Sequence, residues 1–224
     1  MVIIVKKRVP KAYGTFGEVE TKNFDKFMKI LRDKGALNPL KYIEAGISEG
    51  VVLQIGHGPG YTGLEWLKHT IDTKLIALDV SSEMIEIAKK NLKEYEGIEN
   101  RIEYVNCSAD DMKIKSDSVD GVFCNAELHE WPDPVAVFNE INRVLKPGGK
   151  YYITAHDRAI SPITLILEKM IFLRNMPKDM AQEYKAVISA AYTYPEVKEI
   201  LKKTDLKKYE LIKEKAAMRI IGEK

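Results

Sequence analysis

Ten residues, Val51-Val52-Leu53-Gln54-Ile55-Gly56-His57-Gly58-Pro59-Gly60, restrict the architectures open to this chain. An aliphatic, β-branched run one strand long stops at three alternating glycines, and a helical pattern begins straight after them. Continuous apolar runs of that length mark a parallel strand covered on both faces. Glycines at its carboxyl end permit a tight turn and let a ligand approach main-chain N–H groups with no Cβ between. The following helix aims the partly positive end of its dipole at the same turn. A ligand-holding turn is therefore expected at 56–60.

Beyond residue 50 strand and helix patterns alternate with short connections, which predicts a doubly wound parallel sheet. Strands are expected near 51–55, 75–79, 102–105, 119–124 and 151–154. Leu64, Leu67 and Ile71 are expected on the inner face of the first crossover helix. Met84, Ala88 and Leu92 fill that role in the second, capped by Ser81 or Ser82. Asp133 and Pro134 open a third, with Phe138, Ile141 and Leu145 inward, and Lys146-Pro147-Gly148-Gly149 ends it. After residue 156 the alternation breaks: helices are expected over about 160–192 and after Pro195. Tyr209–Ile212 and Ala216–Ile221 read as two strands whose short turn permits only antiparallel pairing.

Composition narrows the function classes. Thirty-five Lys and Arg against 33 Asp and Glu leave a net charge of +2, which is no footprint for sequence-independent nucleic-acid binding. The apolar start Val2–Val5 is too short for a signal-peptide core, and no apolar run reaches membrane-spanning length. Cys107 and Cys124 are expected as reduced thiols on neighbouring buried strands. A cytoplasmic protein is the expectation, of open oligomeric state, with a homodimer among the options.

In an open parallel sheet a ligand binds across the carboxyl ends of the strands, where strand order reverses. Those ends carry Gly56, Gly58 and Gly60; Asp79, placed to take both hydroxyls of a ribose; Ser108-Ala109-Asp110-Asp111, suited to an adenine edge; and Asn125-Ala126-Glu127-Leu128-His129. Two cofactors compete. Gly58-x-Gly60-x-x-Gly63 matches the dinucleotide fingerprint, with an acid at a plausible distance. That match starts two residues late, because Gly56 is the first glycine after the strand, and an antiparallel tail does not suit a nicotinamide domain. A turn holding a methionine tail needs alternating glycines and no third one.

At these residues the chain resembles a class I S-adenosylmethionine-dependent methyltransferase, close to the small-molecule branch with the ubiquinone/menaquinone-type C-methyltransferases. The resemblance covers about residues 50–156, through Val51–Gly60, Leu75–Ala88, Val105–Asp120 and Asn125–Gly149, the last ending Asn139-Glu140-Ile141-Asn142-Arg143-Val144-Leu145-Lys146-Pro147-Gly148-Gly149. It implies a Rossmann-like, seven-stranded, mostly parallel sheet with an antiparallel C-terminal strand. It also implies an N-terminal helical lid or appendage over 1–47 and a main domain over 48–224 with a helical cap at about 158–193. The cofactor would be S-adenosylmethionine, leaving S-adenosylhomocysteine. Gly56, His57 and Gly58 would line its methionine and ribose region through backbone groups, and Asp79 would hold the ribose diol. Val80 and Met84 would pack on the adenine, Ala109 and Asp110 would meet its edge, and Asn125 would border the sulfonium. Two cofactor-binding positions depart from the family pattern, where an acid is usual or frequent. Gln54 would accept a hydrogen bond from the ammonium group but brings no charge, and Ser108 would stand at the adenine, with Asp110 or Asp111 available to compensate.

Methyl transfer is an in-line displacement, so the protein mainly aligns the reactants and excludes water. A base is needed only where the nucleophile must lose a proton. His57, His129 and His156 fall at strand carboxyl ends. His129, with Glu130, Glu127 or Asp157, is the candidate base or orienting group, against the plainer reading of a loop histidine bonded to backbone. His156 is a candidate substrate contact, and no metal site is expected. Tyr13, a candidate substrate contact, and Phe16 lie in a glycine-flanked stretch that could fold over the cofactor or else anchor the chain. The apolar Ile160–Leu173 reads as core, as a ceiling over the acceptor pocket, or as a surface that meets a partner or lipid. The place of an Asn/Asp-Pro-Pro-aromatic tetrad reads Asn125-Ala126-Glu127-Leu128, so a flipped nucleic-acid base is not the expected substrate. A small organic methyl acceptor is. The competing readings are an NAD-dependent oxidoreductase and a non-catalytic cofactor-binding regulator.

Overall fold

The computed structural model describes residues 7–10, 17–161, 164 and 178–224. Tyr13, Phe16 and most of the 160–173 run lie outside the described residues. Seven strands, β1 (Val51–Ile55), β2 (Lys74–Asp79), β3 (Ile102–Asn106), β4 (Val119–Asn125), β5 (Leu145–His156), β6 (Lys208–Lys213) and β7 (Ala217–Glu223), form one sheet. Their order is β3-β2-β1-β4-β5-β7-β6, and β7 runs antiparallel to both of its neighbours. The chain enters at the centre, fills one side, then returns to fill the other. The strand order thus reverses between β1 and β4. Ile55 pairs with Leu78 on one side and Cys124 on the other, so the tips at Gly56, Asp79 and Asn125 converge.

Alternating side chains feed two cores, one on each face. Leu53, Ile55, Val122 and Cys124 pack with Val137, Phe138 and Ile141 of α5 (Pro134–Val144) and with Val197 and Leu201 of α7 (Tyr194–Leu201). On the other face Val52 and Phe123 pack with Tyr61, Leu64 and Trp66 of α3 (Tyr61–Lys68) and with Tyr42 of α2 (Leu40–Glu44). Tyr42 stacks on Phe123 at 4.4 Å, and the Trp66 indole donates to Ile47 O at 3.0 Å. Each helix start has a local cause. The Ser81 hydroxyl accepts from Met84 N ahead of α4 (Ser82–Leu92), and Asp133 accepts from Val135 N and Ala136 N. Thr193 and Glu196 make a capping box for α7. α1 (Glu18–Asp33) lies across α3 and α4, and α6 (Lys178–Ala190) precedes α7.

Three expectations are corrected. Ile71 is 83% exposed, because α3 ends at Lys68, where Arg101 donates to the carbonyls of Leu67, Thr70 and Thr73. Leu145 is inward but begins β5: its backbone is extended and pairs with Val119, and the Lys146–Gly149 stretch becomes an irregularity within the strand. Pro147, which has no N–H for a ladder, fits such a break. Cys107 follows β3 at the sheet edge, with β2 and β1 between it and Cys124 of β4, so the thiols are not neighbours, and both are free.

Candidate active site

The turn after β1 is held by its own chain. Gly56 N and His57 N both donate to Leu78 O, at 2.9 and 3.2 Å. Gly58 N donates to Asp79 Oδ2 at 2.8 Å, and Gly60 N to His57 O at 3.0 Å. Pro59 has no N–H. Every donor of the turn is therefore engaged, and the expected open row of N–H groups is not there. What the turn offers a ligand is carbonyl oxygen and bare Cα surface. Glycine is required at Gly56 and Gly58, whose φ values are 64° and 52°. A Cβ on Gly58 would stand 3.1 Å from the Phe24 ring, so α1 lies directly over the turn.

His57 is buried, and its Nδ1 lies 2.6 Å from Gly58 O, so Nδ1 carries the proton and donates. Burial lowers its pKa despite the Asp79 carboxylate, leaving Nε2 an acceptor with no hydrogen-bond partner among the described residues. Asp79 is 8% exposed, and its second oxygen accepts from Ser81 N at 2.9 Å. Each carboxylate oxygen keeps a lone pair for a further donor. Val80 beside it is 39% exposed, whereas Met84 is buried, so only Val80 presents surface at the rim. Ser108 donates to the Asp110 carboxylate, Ala109 is buried, and Asp111 is exposed and paired with Lys113. Gln54 does not reach the rim. Its amide oxygen is buried against Gly63 of α3, with no hydrogen-bond partner.

At the tip of β4, Asn125 Oδ1 accepts from Lys41 Nζ at 3.0 Å, Tyr42 OH at 3.3 Å and Thr154 Oγ1 at 3.3 Å. Lys41 is half-buried over the Tyr42 ring, and burial lowers its pKa against the opposing pull of Glu214. No carboxylate lies within 4 Å of its ammonium among the described residues. Ala126 then takes a left-handed conformation, φ 64°, held by its N–H to Thr154 O and Oγ1. That turn carries Glu127 back over Gly56: its carboxyl carbon is 2.7 Å, and Oε2 3.2 Å, from where a Cβ on Gly56 would stand.

The two rim histidines of β4 and β5 meet. His129 and His156 have ring centroids 6.2 Å apart, and Tyr184 of α6 stands edge-on to His156 at 5.9 Å. Burial and the neighbouring His129 push the His156 pKa down to about 4. His129 is 7% exposed, and among the described residues neither ring nitrogen is hydrogen-bonded; Glu130 Oε1, at 3.5 Å from Nε2, is too far for a good bond. Arg8 donates to His129 O at 3.2 Å and Ala190 O at 2.6 Å, fastening the loop to the end of α6. His57 belongs to the other side of the rim, beside Tyr104. Among the described residues no group of three or more His, Cys, Asp or Glu could hold a metal. Lys41, Phe24 and Arg8 escaped the sequence reading, because their contacts span chain separations that no local pattern encodes.

The description "methyltransferase domain" matches residues 53–153, from the middle of β1 to that of β5. The matched stretch is 101 of the 224 residues. The chain is 26% identical over 163 residues to a ubiquinone biosynthesis O-methyltransferase of Xanthomonas oryzae, covering 70% of this chain and 65% of that protein. It is 33% identical over 131 residues to a demethylmenaquinone methyltransferase of Lactococcus lactis, covering 56% of this chain and 51% of that one. The chain thus spans half to two thirds of the length of these curated relatives. A solved S-adenosylmethionine-dependent methyltransferase from Aquifex aeolicus shares the fold, with a TM-score of 0.68 at 21% identity over 93% of this chain and 98% of that one. The sheet order, with its antiparallel β7, is the Rossmann-like form of that class. The matched family model, these relatives and this structural neighbour are all described as methyltransferases. Among the described residues no helix is long and apolar enough to cross a membrane.

Proposed function

We propose that this chain binds S-adenosylmethionine at the tips of β1, β2 and β4 and transfers its methyl group to a small organic acceptor beside His129 and His156. One observation carries the cofactor reading: all N–H groups of the 56–60 turn are engaged or absent. A pyrophosphate needs those donors, as a P-loop or dinucleotide turn supplies them. An ammonium group needs acceptors, and the turn carbonyls keep second lone pairs for it, although those of His57, Gly58, Pro59 and Gly60 each already accept one hydrogen bond. Gly63 sits inside α3 against Gln54 and Leu75, a close helix–strand packing that a dinucleotide fingerprint also uses, so it does not separate the two readings.

In this reading Asp79 takes the ribose hydroxyls, Val80 lies on the adenine, and Ser108, Ala109 and Asp110 face its edge. Asn125 borders the sulfonium, and the Lys41 ammonium beside it takes the cofactor's carboxylate. Gln54 and Met84 support the site from below, and α1 acts as a lid through Phe24. The bound cofactor supplies an activated methyl carbon. His129 orients the acceptor or accepts its proton, and His156, held neutral, contacts it. Calorimetric titration with S-adenosylmethionine, S-adenosylhomocysteine and NADH tests the reading. Micromolar heats with the first two and none with NADH are expected; the reverse order would end it.

A further inference from the structure

The methionine end of the proposed cofactor carries an ammonium group that must be desolvated beside the turn, and a buried cation requires a partner. The carboxylates near the turn are few. Asp79 stands at the β2 tip, where it accepts from Gly58 N and Ser81 N. Asp25 accepts from the Asn91 side chain behind the turn. Gln54 is neutral and turned under α3. Glu127 alone of these side chains lies against Gly56, in the gap between the β1 and β4 tips where strand order reverses. Two features fix it there. The left-handed turn at Ala126 aims the residue back, and only a residue without Cβ at Gly56 leaves room for its side chain. Its charge is felt on the same strand tip, where it raises the Cys124 thiol pKa along with burial.

We propose that Glu127 is the carboxylate that receives the amino group of the cofactor's methionine moiety, with Gly56 O as its companion acceptor. The inference rests on the cofactor reading above and adds the residue that supplies the negative charge. It divides the zwitterion between two elements: Glu127 after β4 takes the ammonium, and Lys41 of α2 takes the carboxylate.

The test compares two ligands that differ only at this end. S-adenosylhomocysteine carries the amino-acid tail, and 5′-methylthioadenosine lacks it. Titration calorimetry on the full chain should show Glu127→Gln binding S-adenosylhomocysteine about 10- to 100-fold more weakly, the loss expected for one charge-assisted hydrogen bond. Methylthioadenosine affinity should stay within about twofold. Glu127→Asp, which keeps the charge, should recover part of the loss, and it serves as the probe should the glutamine variant melt early. An unchanged S-adenosylhomocysteine affinity in Glu127→Gln overturns the assignment while leaving the cofactor reading intact. So does an equal loss for both ligands, which would make Glu127 a shaper of the turn. A wild-type chain that binds neither ligand removes the cofactor reading itself.

Discussion

Replacing Asp79 by alanine separates two roles that the structure gives one side chain. In the folded chain its oxygens accept from Gly58 N at 2.8 Å and Ser81 N at 2.9 Å. Hydrogen bonds to a charged group contribute about 1.5–3 kcal/mol each. Ser81 is half-buried and can rehydrate, whereas Gly58 is buried, so we expect a net cost of about 2–4 kcal/mol. At about 2–4 °C per kcal/mol for a chain of this size, melting should fall by roughly 5–15 °C. If the remaining lone pairs also take a ribose diol, two further bonds vanish. The Kd for S-adenosylhomocysteine should then rise by roughly 100- to 10,000-fold. Calorimetry at 25 °C on the folded variant measures the second effect, and differential scanning the first. Asp79→Asn, which keeps one acceptor oxygen, should fall between wild type and alanine on both. A lowered melting temperature with a Kd within threefold of wild type would refute the reasoning. It would show that Asp79 only ties the turn to β2.

Other perturbations probe separate parts of the site. His156, with its pKa near 4 against an ordinary 6.5, binds fewer protons folded than unfolded, so falling pH favours the unfolded chain across that window. Stability should therefore rise with pH from about 4 to 6.5, and His156→Gln should remove up to about 3 kcal/mol of that dependence in urea titrations; parallel pH profiles would count against a buried neutral imidazole. Gly63→Ala should destabilise by about 1–3 kcal/mol through overpacking against Gln54 and Leu75, although alanine is the better helix former by about 1 kcal/mol. A melting temperature at or above wild type would show that α3 yields there. Lys41→Met should weaken S-adenosylhomocysteine about tenfold or more and spare methylthioadenosine, and equal effects on the two would remove it from the carboxylate.

The sheet could be read from the chain because its strands announce themselves locally. Val51–Ile55 and Val119–Cys124 are continuous apolar runs, and the convergence of Gly56, Asp79 and Asn125 follows from parallel registration once the strands are found. His129 and His156 could be read only as residues at strand carboxyl ends; that they meet follows from β4 and β5 being neighbours. Where one side chain from far away decides the outcome, the sequence is mute. Ile71 fits the helical spacing, but Arg101, thirty residues on, captures the carbonyls that end α3. Lys41 looks like any lysine of a short surface helix until Tyr42 is driven into the core by Phe123 and Tyr152, which leaves its neighbour at the rim against Asn125. Glycine spacing predicted a tight turn correctly but not the polarity of what it presents, because that depends on Leu78 O and Asp79 folding in beneath it.

That dependence links the two halves of the site. The carboxylate that would grip the ribose is also the group that closes Gly58 N, and the Gly58 carbonyl in turn holds the His57 Nδ1 proton. A ligand pulling on Asp79 therefore acts on the geometry of the turn that meets its other end. The rim near β4 and β5 adds a further unpartnered group. Its His129 ring is buried with neither nitrogen bonded among the described residues, a cost of about 1–3 kcal/mol for each unsatisfied group that folded chains seldom carry without a use. A hydrocarbon acceptor would leave that cost standing. An acceptor with a hydroxyl, amine or carbonyl beside the reacting atom would relieve it, so the energetics of the empty imidazole favour a polar acceptor. In the proposed reading the cofactor side carries the same kind of cost, since His57 Nε2 and Gln54 Oε1 also lack partners among the described residues, so a polar ligand is favoured on both sides.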